Sequence, residues 1–110
     1  MINQMNINGY TAVITYDSDL ELFRGEFVGV NGGADFYAGD VKNLRLEGEL
    51  SLKVFLEACK EEGIEPRKLF SGKLNLRIDP DLHEAATVAA SSSNRSLNQF
   101  INDSLRQSLG

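Results

Sequence analysis

Apolar residues along this chain recur first at every second position, then at every third or fourth, and then at every second again. From Tyr10 to Tyr16 the residues are Thr, Ala, Val, Ile, Thr and two Tyr, which is strand composition. Asp17-Ser18-Asp19 reads as a turn, because short polar side chains there can bond nearby backbone amides. Leu22 to Val30 reads as a second strand. Glu21, Phe23, Gly25, Phe27 and Gly29 share one side of it; Leu22, Arg24, Glu26, Val28 and Val30 share the other. The alternation is imperfect and does not say which side is buried. Asn31-Gly32-Gly33 is a turn signal, and a short third strand is expected around Ala34 to Ala38. Met1 to Asn8 is polar and aperiodic and is expected to fray, with Met5 a second candidate for the start.

The period then lengthens. Asp40 is a candidate N-cap for a helix reaching about Glu62, with Val41, Leu44, Gly48, Leu52, Phe55, Leu56 and Cys59 on one face. Glycine inside a helix costs roughly 1 kcal/mol relative to alanine, so Gly48 points to close packing on the sheet. Gly63 supplies a left-handed cap, and Pro66 prevents the helix from resuming. The expected first module, residues 1–70, is therefore an antiparallel β-β-β-α arrangement of the α+β class.

Glu65 to Gly72 has linker composition, with Leu69 and Phe70 as its apolar anchors. Beyond it, in residues 71–110, period two returns. Leu74, Leu76 and Ile78 share one face of a predicted strand, and Lys73, Asn75 and Arg77 share the other. Asp79-Pro80 starts a helix to about Ser91, with Leu82, Ala85, Ala86 and Ala89 inward. Asn94 suits a left-handed turn. Ser96 to Gln99 forms a capping box for a last helix that buries Leu97, Phe100, Ile101 and Leu105, with Leu109 a further candidate. So few apolar side chains do not make a stable unit of this size alone, and a lone strand leaves its backbone groups unpaired. Antiparallel pairing of the strand with a second copy meets both needs. It gives a homodimer through residues 73–78, with a higher oligomer left open, whose core holds Leu74, Leu76, Ile78, Leu97, Phe100, Ile101 and Leu105.

Charge sharpens this division. The chain carries a net charge of −5. Residues 1–70 hold seven Lys/Arg against twelve Asp/Glu, while residues 71–110 hold four of each. An acidic head suits a basic partner; a neutral tail can still bind DNA if its cations lie on one face. A two-stranded ribbon fits the major groove, where Arg and Lys donate to guanine and Asn pairs with adenine. Lys73, Asn75 and Arg77 are the candidate base contacts. The helix start at Ser96, Leu97 and Asn98, with Arg95 beside it, offers free amides and a positive dipole end to a phosphate. The single Cys59 and single His83 make no metal site and no disulfide, and no cofactor is expected. Asp17, Asp19 and Glu21 are the nearest candidates for metal-dependent catalysis, but their spacing reads as a turn, so no enzyme activity is expected. Apolar runs are short, which argues against a membrane span or secretory leader and for a cytoplasmic protein.

The segments SGKLNLRI, Leu82-His83 and SLNQFI resemble the ribbon-helix-helix DNA-binding domain from Ser71 to Leu109. Together with YTAVITYDSDLELFRGEFVGV and LEACKEEGIEP, they resemble the HicB family of antitoxins in its ribbon-helix-helix branch. That resemblance implies a degenerate RNase H-like first module that neutralises a HicA-type RNA-cleaving toxin. It also implies operator binding that represses the chain's own operon. Asn94 stands where the family often has glycine. Two alternatives share these residues: an orphan transcriptional regulator without a toxin, and a protein-binding module whose tail only dimerises.

Overall fold

The computed structural model describes residues 3–110. Its elements are β1 (Gln4–Ile7), β2 (Tyr10–Asp17), β3 (Leu22–Phe27), β4 (Asp35–Ala38), α1 (Val41–Glu62), α2 (Pro80–Ser92) and α3 (Leu97–Leu109). They fall into two compact units, one ending at Ser71 and one running Gly72–Gly110.

The first unit is an antiparallel sheet in the order β1-β2-β3-β4, with α1 packed on one face. The expected β-β-β-α order is corrected by one strand, because residues from Gln4 on are paired rather than frayed; Met1 and Ile2, part of the same expectation, lie outside the described residues. Ile7 faces Tyr10 and Met5 faces Ala12 across a hairpin. Its two turn residues, Asn8 and Gly9, both have positive φ (51° and 87°). That is the geometry an Asn-Gly pair favours, because it matches the twist of the flanking strands. The Gly9 amide also donates to Asn6 Oδ1 at 3.1 Å. Met5 and Ile7 alternate inward and are both buried. The turn after β2 is the expected one: Asp17 Oδ1 accepts from the amides of Asp19 and Leu20 at 3.0 and 3.1 Å.

Strand β3 stops at Phe27, short of Val30, because Gly29 turns to φ 72°. Its buried side is Gly25 and Phe27, with Phe23 packed against them. On the same sheet face Ala12 pairs with Phe27 and Gly25 with Phe36. Helix α1 starts as expected. Asp40 caps it by accepting from the Asn43 amide at 2.8 Å, and Gly63 closes it at φ 69°. Asn43 Nδ2 also donates to Asp40, and these bonds hold the Asp40 carboxyl below its usual pKa. Leu44, Gly48, Leu52 and Cys59 are its buried positions, whereas Val41, expected on that face, is exposed.

Two glycines set how closely α1 lies on the sheet. A Cβ at Gly25 would run into the Phe36 ring, and one at Gly48 would run into Ile7 Cδ1 and the same ring. The ring therefore fills space that Gly25 on the strand and Gly48 on the helix leave open. Phe27 packs against it at a centroid distance of 5.2 Å.

Residues 65–68, which read as linker by composition, are hydrogen-bonded onto the first unit. Val30 bridges Arg67 in antiparallel fashion, the Asn31 amide donates to the Pro66 carbonyl at 2.9 Å, and the Lys68 amide donates to the Gly29 carbonyl at 3.0 Å. Asn31 Nδ2 donates to the carbonyls of Glu65 and Arg67 at 2.8 and 3.2 Å. Arg67 Nη2 then donates to the Gly9 carbonyl at 3.2 Å, and its guanidinium lies 3.8 Å from the Tyr10 ring centroid. Pro66 donates no hydrogen bond, which suits an edge segment whose neighbours carry the pairing. Leu69 and Phe70, expected as anchors, are instead 97% and 81% exposed.

The glycine packing generates a prediction against helix propensity. On propensity alone Gly48→Ala would gain about 1 kcal/mol; the crowding at Ile7 and Phe36 makes it a net loss of about 1 kcal/mol. At Gly25 the obstacle is a rigid ring, so Gly25→Ala loses about 1–3 kcal/mol. Urea melts of the full chain measure both. A stabilised Gly48→Ala variant would show that α1 does not need this close approach.

Candidate functional site

The second unit is built from its caps. Pro80 occupies the first turn of α2, and the His83 amide donates to the Asp79 carbonyl at 2.9 Å. Asp79 stands at the N-cap position, but its side chain makes no capping bond. Asn94 turns the chain at φ 56°, as expected. Ser96 Oγ accepts from the Gln99 amide at 3.0 Å, which is half of a capping box. The other half differs: Gln99 Nε2 donates to Asp103 Oδ1 at 2.8 Å.

Only Ala90 is buried in this unit. Ala86, Ala89, Leu97, Phe100 and Ile101 are half-buried. Leu82 and Ala85, expected inward on α2, are exposed, as are Leu74, Leu76, Ile78, Leu105 and Leu109. Ala90 is the inward position that the helical spacing reading passed over. Alanine carries too little apolar surface to stand out in a pattern already rich in alanine.

Residues 73–79 have neither helix nor strand assignment, and all are exposed. Lys73, Leu74, Asn75 and Leu76 border a groove completed by Asn98, Ile101 and Leu105 of α3. All seven belong to the candidate DNA-binding and dimer sets, four from the segment and three from α3. Arg77, Ile78, Arg95, Ser96, Leu97 and Phe100 do not line it. Arg95, a candidate phosphate contact, is engaged within the unit. Its Nη1 donates to Asp103 at 2.8 Å, its Nε donates to Ser93 Oγ at 3.0 Å, and its guanidinium sits 5.0 Å from the Phe100 ring centroid. A phosphate at Ser96 to Asn98 would have to share Arg95 with Asp103. The pattern reading missed this pair because Arg95 and Asp103 are eight positions apart and join a turn to a helix.

In the first unit, the sheet face away from α1 carries Arg24 between Asp35 and Glu26. Hydrogen bonding and attraction to Asp35 raise the Arg24 pKa further above its ordinary value, so this charge persists at every physiological pH. Asp17 serves its turn, and Glu21 follows at φ 54°. Among the described residues no three His, Cys, Asp or Glu side chains are grouped to hold a metal ion. Cys59 is buried, and His83 is exposed, its carbonyl accepting from the Thr87 hydroxyl at 2.9 Å. No helix among the described residues is long and apolar enough to cross a membrane.

Residues 55–105 match the model of the HicB family. The matched stretch starts in the last turns of α1, passes through the 65–68 strap and the exposed segment, and ends in α3. No curated protein and no solved structure matches the chain.

The bonds from Arg95 and then Gln99 hold the Asp103 carboxyl below its ordinary value of 3.8. A depressed folded-state pKa contributes stability that is fully present above the unfolded-state value and is lost as pH falls through the folded-state value. A carboxyl NMR titration should therefore place Asp103 below 3.8, and Arg95→Ala should move it back up. An Asp103 midpoint unchanged by Arg95→Ala would break the assignment of Arg95 as the main cause.

Proposed function

We propose that this chain, whose residues 55–105 match the HicB family model, is a toxin–antitoxin antitoxin with two separable tasks. The unit ending at Ser71 binds and neutralises a small basic toxin of the HicA type. The unit from Gly72 onward dimerises through residues 73–78 and binds operator DNA, repressing the chain's own operon from the cytoplasm.

The observation that carries the second task is the exposed alternation at 73–78. Leu74, Leu76 and Ile78 lie uncovered in a unit with a single buried residue. Pairing this strand with its mate from another chain would bury all three and create a shared core with Leu97, Phe100, Ile101 and Leu105. The opposite face would then present Lys73, Asn75 and Arg77 twice, at the width of a major groove. For the first task the support is the family match together with the acidic balance of residues 1–70, which favours a basic partner. The RNase H-like ancestry of the sheet belongs to the same proposal and rests on the family resemblance.

One observation favours the reading in which the tail only dimerises: Arg95 is held by Asp103 and Ser93 rather than turned to the N-terminus of α3. Base contacts at 73–77 do not depend on Arg95, so the two readings separate cleanly by mutation.

Asn75→Ala and Arg77→Ala should each abolish the mobility shift on DNA upstream of the chain's own gene. Each lost base contact costs about 1–3 kcal/mol and occurs twice in a dimer, while dimer mass and melting temperature stay unchanged. An unaltered shift would leave the tail as a dimerisation device. Residues 1–71 alone should retain a HicA-type toxin on an affinity column, and retention that needs residues 72–110 would overturn the division of tasks.

A further inference from the structure

Helix α1 has a second apolar stripe that neither the core nor the proposed function uses. Leu46, Leu50 and Val54 recur every fourth residue and are 52%, 57% and 59% exposed. At 3.6 residues per turn, Leu50 lies opposite the buried face formed by Leu44, Gly48, Leu52 and Cys59. The stripe is therefore a ridge along the outside of the helix, pointing away from the sheet.

We propose that this ridge is a self-association surface on which a second copy of the chain lays its own α1 antiparallel, with the twofold axis at Leu50. The charges beside the ridge select this partner and this direction. With Leu50 facing its mate, Leu46 packs on Val54 of the second copy and the reverse. On one flank Lys42 then approaches Glu57 of the second copy, and Glu49 approaches Lys53. By the symmetry each contact occurs twice. A parallel alignment would instead bring Glu47 toward Glu49 of the second copy and Glu57 toward Glu61. Lys42, Glu49, Lys53 and Glu57 are all exposed, and none forms an ion pair among the described residues. They are thus available to a partner. Near-antiparallel helices cross at about 20° with axes about 8–10 Å apart, which keeps the Lys42 and Glu57 contacts within reach of long side chains.

Three apolar side chains per copy make a small interface, below the roughly 1,200 Å² of stable complexes. The contact is weak and reversible by itself. Any second link between the same copies strengthens it through effective concentration. It stands apart from the DNA-binding and toxin-binding readings, since it uses no residue assigned to either.

Disulfide trapping of the full-length chain tests it. Helix axes about 8–10 Å apart leave two facing residues within disulfide reach at the axis. Under mild oxidation the Leu50→Cys variant should form covalent dimers at least about tenfold faster than Glu62→Cys, whose mate would lie about 36 Å away at 1.5 Å per residue. The unmodified chain, whose Cys59 is buried, should form none. In the Leu50→Cys background, Lys42→Glu and Glu57→Lys should each slow trapping several-fold, and the two together should restore it. Those positions are about 22 Å apart within one helix, so the rescue can act only between copies. Equal trapping at positions 50 and 62, or no rescue by the double reversal, would overturn the proposal. Protection of the Leu50→Cys thiol by a co-purified basic partner, without self-trapping, would assign the ridge to that partner and equally overturn it.

Discussion

The Phe36 ring occupies a space that exists only because Gly25 and Gly48 have no side chains. Helix α1 can approach the sheet this closely only with glycine on both sides of the ring. The approach buries Ile7, Leu44 and Leu52 almost completely. It brings Ala12 and Phe27 under the same helix and lets β1, a four-residue edge strand, contribute Met5 and Ile7 to the core. Interiors pack at crystal-like density, so displacing one ring propagates to all of these contacts. The position of α1 also decides which of its faces remains outside.

The two units solve the problem of stability differently. The first has nine mutually packed buried residues, a capped helix and a strap that returns to the opening hairpin. It contains the elements of a self-sufficient domain. The second buries one alanine and holds its two helices by caps, a turn and the Arg95–Asp103 pair. Ion pairs at this level of exposure contribute little, and a unit of such size needs burial from elsewhere. The proposed ribbon dimer would supply it.

Much of this was legible in the order of residues. Asp40, Gly63, Asn94 and Ser96 announce local geometry through their own side chains or lack of one, and each takes the conformation its chemistry favours. Gly48 announced itself by being a poor helix residue in a good helix. Gly25 did not, because glycine in a strand has several explanations, and only Phe36 across the sheet selects one. Strand β1 was missed through its polar composition, although Asn8-Gly9 was the informative pair. The strap was missed because its hydrogen bonds come from Asn31 and the backbone of Gly29 and Asn31, more than thirty positions earlier. Composition at 65–68 records only that the segment is polar. Lys73, Asn75 and Arg77 were legible as one face of an extended segment. Residues 73–79 form neither helix nor strand in the single chain, so only the proposed pairing with a second copy would align that face.

Arg67 ties the end of the first unit to its beginning, reaching Gly9 and Tyr10 from 58 and 57 positions away. Loop closure over that distance is entropically costly and cannot begin until residue 67 exists. During synthesis the meander and α1 can assemble first. The opening hairpin is then fastened only when the chain beyond Pro66 has emerged. Completion of the first unit thus waits on residues 66–68, so the strap acts as a closing stitch that fastens the start of the unit to its end.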